Sequence, residues 1–376
     1  MVFEIVEVNQ KRDLKDFIQF PYDLYRGHPV WVPPLRRMVN KEFDRERNGY
    51  FRHADAVFFM AVGETGKVLG RIAAFVNHNY LKHYDDAVGF FGSFECIDNV
   101  EVAKGLIDKS ARFLKGRGLN FIRGPYNFTS QSTGFLIEGF DQPQTVLSPY
   151  NLPYYGELME ESGLKKIMDL NAYYGDVLED YKFPERFMRH YDYLTKKYGV
   201  RVRNIDMKKV EEDVGKIIHV GNLASAGNWG FVPVDEPEID EIVNDFRLLS
   251  DPEAVFIMEK GEEAIGYAVA LPDVNIIIKK LNGRLFPFGI FRLKFGYRKL
   301  REYRLFGLGL VPEYQRKALD TLLYFHVFDG LYKKNARLEA SWVLETNKRM
   351  NQALVKMNFK LVKKFRVYQA DLKKWD

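Results

Sequence analysis

One landmark series occurs twice in this chain, in the same order and at an offset of roughly 200 residues, too long for a solenoid unit and suited to two copies of one domain. AVFFM at 56–60 and GRIAAFVN at 70–77 read as two strands joined by a tight turn; AVFIM at 254–258 and GYAVA at 266–270 read the same way. VGFFGSFE at 88–95 then precedes a helix with apolar Val102, Ala103, Leu106, Ile107, Phe113 and Leu114. Its counterpart, RLFGLGLV at 304–311, precedes a helix with Leu322, Leu323, Phe325 and Leu331. A further strand follows each helix (119–123 and 337–342), and each half closes with a helix, a turn and a last strand (154–174 and 350–369). Two α/β (α+β) domains are expected, over 1–178 and 179–376, meeting where a last strand gives way to the charge and proline of 179–184.

Composition excludes several classes. A single cysteine, Cys96, leaves no disulfide framework and no cysteine-rich zinc site, and it suits a reducing compartment. The amino terminus has charges where a signal peptide needs an apolar core, and no run of about 18 apolar residues occurs. A cytoplasmic protein without a membrane span is expected. The seven histidines show no metal spacing, so no metal is assigned. A net charge of +5 does not by itself argue for nucleic acid.

The order of strand pair, strand, loop, helix, strand, helix, strand resembles the acyl-coenzyme A N-acyltransferase fold, the GNAT superfamily. PEYQRKALD at 312–320 lies where that superfamily has its Gln/Arg-x-x-Gly-x-Gly/Ala pyrophosphate loop, and Asn347 stands twelve residues before Phe359, the spacing of its Asn…Gly-Phe segment. The whole chain resembles a bacterial group with two GNAT-like halves, carried by FPYDLYRGHPVWVPPL (20–35), GFLIEGFD (134–141), GNWGFVP (227–233), LPDVN (271–275), GRLFPFG (283–289) and SWVLETN (341–347). The resemblance implies two tandem GNAT-like domains, each a mixed, mostly antiparallel twisted sheet flanked by helices, and acetyl-CoA or another acyl-CoA as co-substrate.

By that resemblance the coenzyme contacts are Leu310, Val311, Gln315, Arg316, Lys317, Ala318, Leu319, Asp320 and Asn347. Helix-start amides hold anions through exposed N–H groups and the helix dipole. Arg316 and Ala318 stand where the family has glycine; a loop already in the helical region could keep its amides free, whereas a position needing positive φ would be blocked. Arg316 and Lys317 supply cations in compensation. The equivalent turn of the first half, CIDNVEV at 96–102, has no basic residue, so the coenzyme is assigned to the second half alone.

The tyrosine that donates a proton to the leaving thiolate in many GNAT enzymes is replaced by Leu354, leaving water, Tyr324 or Tyr314 as substitutes. Glu339, Ser341 and Glu345 are the catalytic candidates, with Glu339 as a base provided that its pKa is raised; an ion pair explains it equally well. An N-cap explains Asn347 as well as coenzyme contact does. Acceptor contacts are expected from Tyr126, Asn127, Asn228, Trp229 and Asn275. The stretch 279–304 has nine Lys or Arg against one Glu, with interleaved aromatics, and reads as a solvated arm, a phosphate-steering surface, or a face for anionic membrane or nucleic acid.

An acyl-CoA-dependent N-acyltransferase, acetyl-CoA by precedent, acting on a small-molecule or peptide amine is therefore expected. A catalytically silent ligand-binding regulator and an aminoacyl-tRNA-dependent transferase or nucleic-acid binder are the alternatives; the acceptor and the oligomeric state are not legible.

Overall fold

A computed structural model of the protein describes residues 1–128, 133–176, 185–285 and 289–375. The expected boundary at 178/179 lies outside the described residues. The first half contributes β1 (Phe3–Glu7), β2 (Ala54–Gly63), β3 (Val68–Asn77), β4 (Val88–Cys96), β5 (Phe121–Gly124), β6 (Phe135–Glu138) and β7 (Lys165–Asp176). The second contributes β8 (Val200–Asn204), β9 (Val255–Lys260), β10 (Glu263–Pro272), β11 (Glu302–Leu310), β12 (Arg337–Leu344) and β13 (Lys360–Asp371). The repeated strand pairs are the hairpins β2/β3 and β9/β10, whose turns use Gly66 and Gly261 at positive φ. Helix Val100–Lys115 turns Val102, Ala103, Leu106, Ile107 and Leu114 into the first core; helix Asp320–Lys333 does so in the second with Leu322, Leu323, Val327, Phe328 and Leu331.

The strands form one sheet in the order β1-β2-β3-β4-β5-β13-β7-β12-β11-β10-β9-β8, with β6 added beside β13. Two neighbours are parallel, β4 with β5 and β11 with β12; the other pairs are antiparallel. The last strands are exchanged. β13 of the second half lies against β5 of the first, β7 of the first lies against β12 of the second, and the two pair with each other. Tyr368, Ala370, Leu372 and Trp375, at the end of the chain, therefore bury in the core of the first half, and the Trp375 indole N–H donates to Asp108 at 2.6 Å. Burying a large apolar side chain such as Leu372 stabilises by about 1.5–3 kcal/mol, so the exchange couples the two halves thermodynamically.

Candidate active site

The turn between β11 and helix Asp320–Lys333 keeps the glycine geometry without the glycines. Arg316 and Ala318 lie at φ 61° and 60°. For L-residues this region costs about 1–2 kcal/mol each, so a helical-region loop is not what forms. The amides of Arg316, Lys317, Ala318 and Leu319 make no hydrogen bond among the described residues. Leu319 gives its helix no side-chain cap, and Asp320 opens the first turn. Arg316 is exposed; Lys317 lies over the Tyr314 and Tyr198 rings, 5.0 and 5.7 Å from their centroids. Gln315 points back, donating to the Leu310 carbonyl at 2.9 Å, and the Val311 amide is held by Ile265.

Behind this turn the two parallel strands part. Pairing of β11 with β12 ends at Leu305 and Ala340, and a bulge against β10 leaves Phe306 without a cross-strand partner. The gap is a cavity of about 240 Å³, with Phe306, Gly307 and Leu308 on one wall, Trp342, Val343 and Leu344 on the other, and Tyr324, Asn347 and Leu354 among the remaining lining. Asn347 caps helix Lys348–Lys356 through the Met350 amide at 3.1 Å while lining the gap. Tyr324, whose hydroxyl is held protonated by burial, points to the Met350 sulfur at 3.6 Å. Tyr314 is outside this cavity, with its hydroxyl taking a bond from Lys260 at 3.0 Å.

The expected catalytic carboxylates are engaged elsewhere. Glu339 is 2% exposed; its carboxylate meets the Lys363 ammonium at 2.6 Å, the Thr145 hydroxyl at 2.7 Å and the Ser341 hydroxyl at 3.0 Å. Burial pushes this carboxyl up, but Lys363, Arg304 and Thr145 outweigh it and hold it below the ordinary value. The raised pKa that a base needs is not met, and Glu339 is an ion-pair partner at the strand exchange. The Ser341 hydroxyl is used between Glu339 and Arg304, the latter buried fully, lowered to about 10 by that burial and stacked 4.6 Å from Trp342. Glu345 clips β7 to β12, accepting from the Asp169 amide at 2.9 Å and from Lys166 at 2.8 Å. Asn275 donates to the Gln144 carbonyl at 3.0 Å and so pins the first half against the second, and it does not line the gap between β11 and β12.

The other four acceptor candidates do come together. Tyr126, Asn127, Asn228 and Trp229 line a cavity of about 360 Å³ between the halves, formed where the segment 228–234 folds over the first half. Trp229 covers Arg123 at 5.2 Å, and the Tyr84 hydroxyl donates to the Phe231 carbonyl at 2.8 Å. Asn228, Trp342 and Leu344 line this cavity and the gap between β11 and β12 alike, so the two are neighbours. A third, apolar cavity of about 200 Å³, bounded by Ile217, Ile218, Ile242, Phe246 and Leu249, shares Ser225, Tyr267, Phe306 and Gly307 with the gap.

Sequence spacing misses one cluster. His53 lies 3.8 Å from Asp235 and 3.9 Å from Glu238, with His53 and Glu238 on the wall of the cavity between the halves. One ligand atom from each of the three falls within 4.8 Å of the others. His53 Nδ1 and Asp235 Oδ1 are buried without a hydrogen-bond partner. Burial lowers the His53 pKa, partly countered by Asp235, which keeps the ring neutral near pH 7. The separation of 182 positions between His53 and Asp235 leaves no local signal.

No protein-family model matches the chain. Protein YghO of Escherichia coli (strain K12) is 31% identical over 374 residues, covering 96% of this chain and 94% of its own. The bacterial ceramide synthase of Caulobacter vibrioides (strain NA1000 / CB15N) is 30% identical over 379 residues, covering 98% and 97%. Among solved structures, a tandem GNAT protein from the clavulanic acid biosynthesis pathway superposes with a TM-score of 0.56 at 11% identity over 99% of both chains. A GCN5-related glucosamine N-acetyltransferase region of a fungal multi-domain β-N-acetylglucosaminidase gives 0.58 at 12% identity over 98% of this chain and 38% of that one. These structural likenesses establish the acyltransferase fold. The chain carries the GNAT fold twice, with last strands exchanged, and it belongs to the bacterial family that includes YghO and the Caulobacter bacterial ceramide synthase.

Proposed function

We propose that the protein is an acyl-CoA-dependent N-acyltransferase that forms an amide between a long acyl chain and a primary amine. The observation that carries this reading is the row of amides at Arg316 to Leu319 that make no hydrogen bond among the described residues, in the turn that follows β11, one of the two parted strands. Those amides, the helix start and the Arg316 cation fit a diphosphate. Acyl-CoA, when bound, supplies the thioester carbonyl that is attacked. The apolar cavity beside Tyr267 suits an acyl chain longer than the acetyl of superfamily precedent, and a ceramide synthase among the relatives supports the same choice.

The cavity between the halves is assigned to the acceptor. Its aromatic walls, Tyr50, Tyr80, Tyr126 and Trp229, suit a cation or an alkyl chain. Asp235 and Glu238 attract the ammonium form of the amine, and neutral His53 accepts the proton that must leave before nitrogen can act as a nucleophile. Tyr324 is assigned as proton donor to the leaving thiolate, replacing the tyrosine absent at Leu354.

Thermal shift should show stabilisation by CoA and acetyl-CoA and a larger one by palmitoyl-CoA. Thiol release should then follow addition of a long-chain primary amine such as sphinganine. Stabilisation without thiol release for a broad amine panel favours the silent binder, which Leu354 and the locked Glu339 recommend; no stabilisation by any CoA species removes the proposal.

A further inference from the structure

We infer that residues 275–285 and 289–300 form a docking face for an anionic lipid bilayer. On helix Gly289–Tyr297 the rings of Phe291 and Phe295, one helical turn apart, are 58% and 68% exposed. Ile276, on the short helix Asn275–Ile278 that packs against this one, is 41% exposed. Lys280, Arg284, Arg292, Arg298 and Lys299 are exposed in the same segment, and none pairs with a carboxylate among the described residues; Lys279 beside them donates to the Pro29 carbonyl. Two projecting phenylalanines are poorly accommodated by water, and unpaired cations around them call for a negative partner. A bilayer with acidic headgroups satisfies both: rings at the acyl boundary, cations at the phosphates. Nucleic acid would use the cations and the ring faces but has no acyl layer for the phenylalanines to enter.

The position of the face is the second argument. The Tyr297 hydroxyl donates to the Leu249 carbonyl at 2.9 Å, and Leu249 with Phe246 lines the apolar cavity; Leu248 beside them is 56% exposed. Docking here sets the membrane next to the compartment assigned to the acyl chain. That link rests on the proposed acyl transfer; docking itself does not.

Flotation with vesicles tests it without an acyl donor. The protein should float with phosphatidylcholine vesicles containing phosphatidylglycerol, much less with phosphatidylcholine alone, and less in high salt. Phe291→Ser with Phe295→Ser should weaken the apparent affinity by about tenfold or more while circular dichroism stays unchanged, and Arg292→Glu with Arg298→Glu should do the same by removing charge. Equal flotation with and without phosphatidylglycerol, wild-type flotation of the phenylalanine variant, or tighter binding to duplex RNA than to the vesicles overturns the proposal. Because flotation involves no thioester, failure of acyl transfer and failure of docking are read separately.

Discussion

The first and second halves carry the same junction, a strand running into a helix, and finish it in opposite ways. In the first half the turn is closed. The Ile97 and Asn99 amides bond to the Leu69 and Ile97 carbonyls, and Asn99 caps its helix through the Val102 amide at 3.1 Å. Pairing of β4 with β5 ends at Phe90 and Arg123, as it does in the other half, but Tyr126 bonds back to Phe91. The approach is so close that a Cβ at Gly92 would stand 1.5 Å from the Tyr126 carbonyl oxygen, which is why the position is glycine. A neighbouring cavity of about 250 Å³ is charged, with Arg71, Glu42 and Glu95 on its walls. In the second half the amides are free, the helix is uncapped and the strands stay apart. The first repeat caps its helix through the Asn99 side chain; the second has no side-chain cap, its Thr321 and Leu322 amides turn back to the Ala318 and Leu319 carbonyls, and the amides of 316–319 stay without a partner among the described residues, a difference that favours assigning the coenzyme to the second half.

The largest effect is expected where the halves interlock. Lys363→Met removes one partner of a buried pair and should cost about 3–5 kcal/mol in urea unfolding, because Glu339 remains charged and dry. The sign of the pH dependence follows from the direction of the shift. A carboxyl held below its ordinary 4.5 adds stability that is fully present above that value and lost as pH falls through its folded pKa. Wild type should therefore lose stability on the acid side more steeply than the variant. A variant as stable as wild type, with the same acid limb, would mean that the exchange does not depend on this pair.

Charge reversal separates the two junctions next. Arg316→Glu with Lys317→Glu should weaken CoA binding by roughly 100-fold in calorimetry, from lost attraction and added repulsion. Asp98→Lys with Glu101→Lys, at the start of the other helix, should leave CoA affinity unchanged. If the second pair of substitutions alters affinity and the first does not, the coenzyme belongs to the first half and the comparison is inverted.

Much of the fold is legible because its signals are local. The hairpins β2/β3 and β9/β10 and both amphipathic helices are apolar runs with turn residues between them. Strand exchange is not local: β7 and β13 have similar half-buried patterns, and nothing in such a pattern names the neighbour. Lys363 illustrates the point. It is 4% exposed, whereas its neighbour Lys364 is not buried, so alternation requires one of two adjacent lysines to face inward. That inward lysine, arriving from beyond the exchange, is what turns Glu339 from a candidate base into an ion pair. The turn between β11 and helix Asp320–Lys333 is locatable by pattern, but its dihedrals are not. His53 meets Asp235 only because the segment after Asn228 folds back over the first half.

A smaller effect tests the closed junction. Asn99→Ala removes a cap and should destabilise by about 1 kcal/mol with no change in CoA affinity. Loss of affinity would show that the first half also takes part in coenzyme binding.

The smallest expected change concerns Ala318 in the open junction. At φ 60° its methyl group is strained by about 1–2 kcal/mol relative to glycine, while glycine adds about 0.5–1 kcal/mol of chain entropy to the unfolded state. Ala318→Gly should therefore stabilise by a net ~0.5–1 kcal/mol, seen as a slightly higher urea midpoint at unchanged slope. CoA affinity should hold or rise slightly, since the substitution removes only a methyl group beside amides that make no hydrogen bond among the described residues. A drop in stability would mean that the turn relaxes to negative φ in solution, withdrawing its amides from the ligand position and removing the distinction between the two halves at the place where it matters.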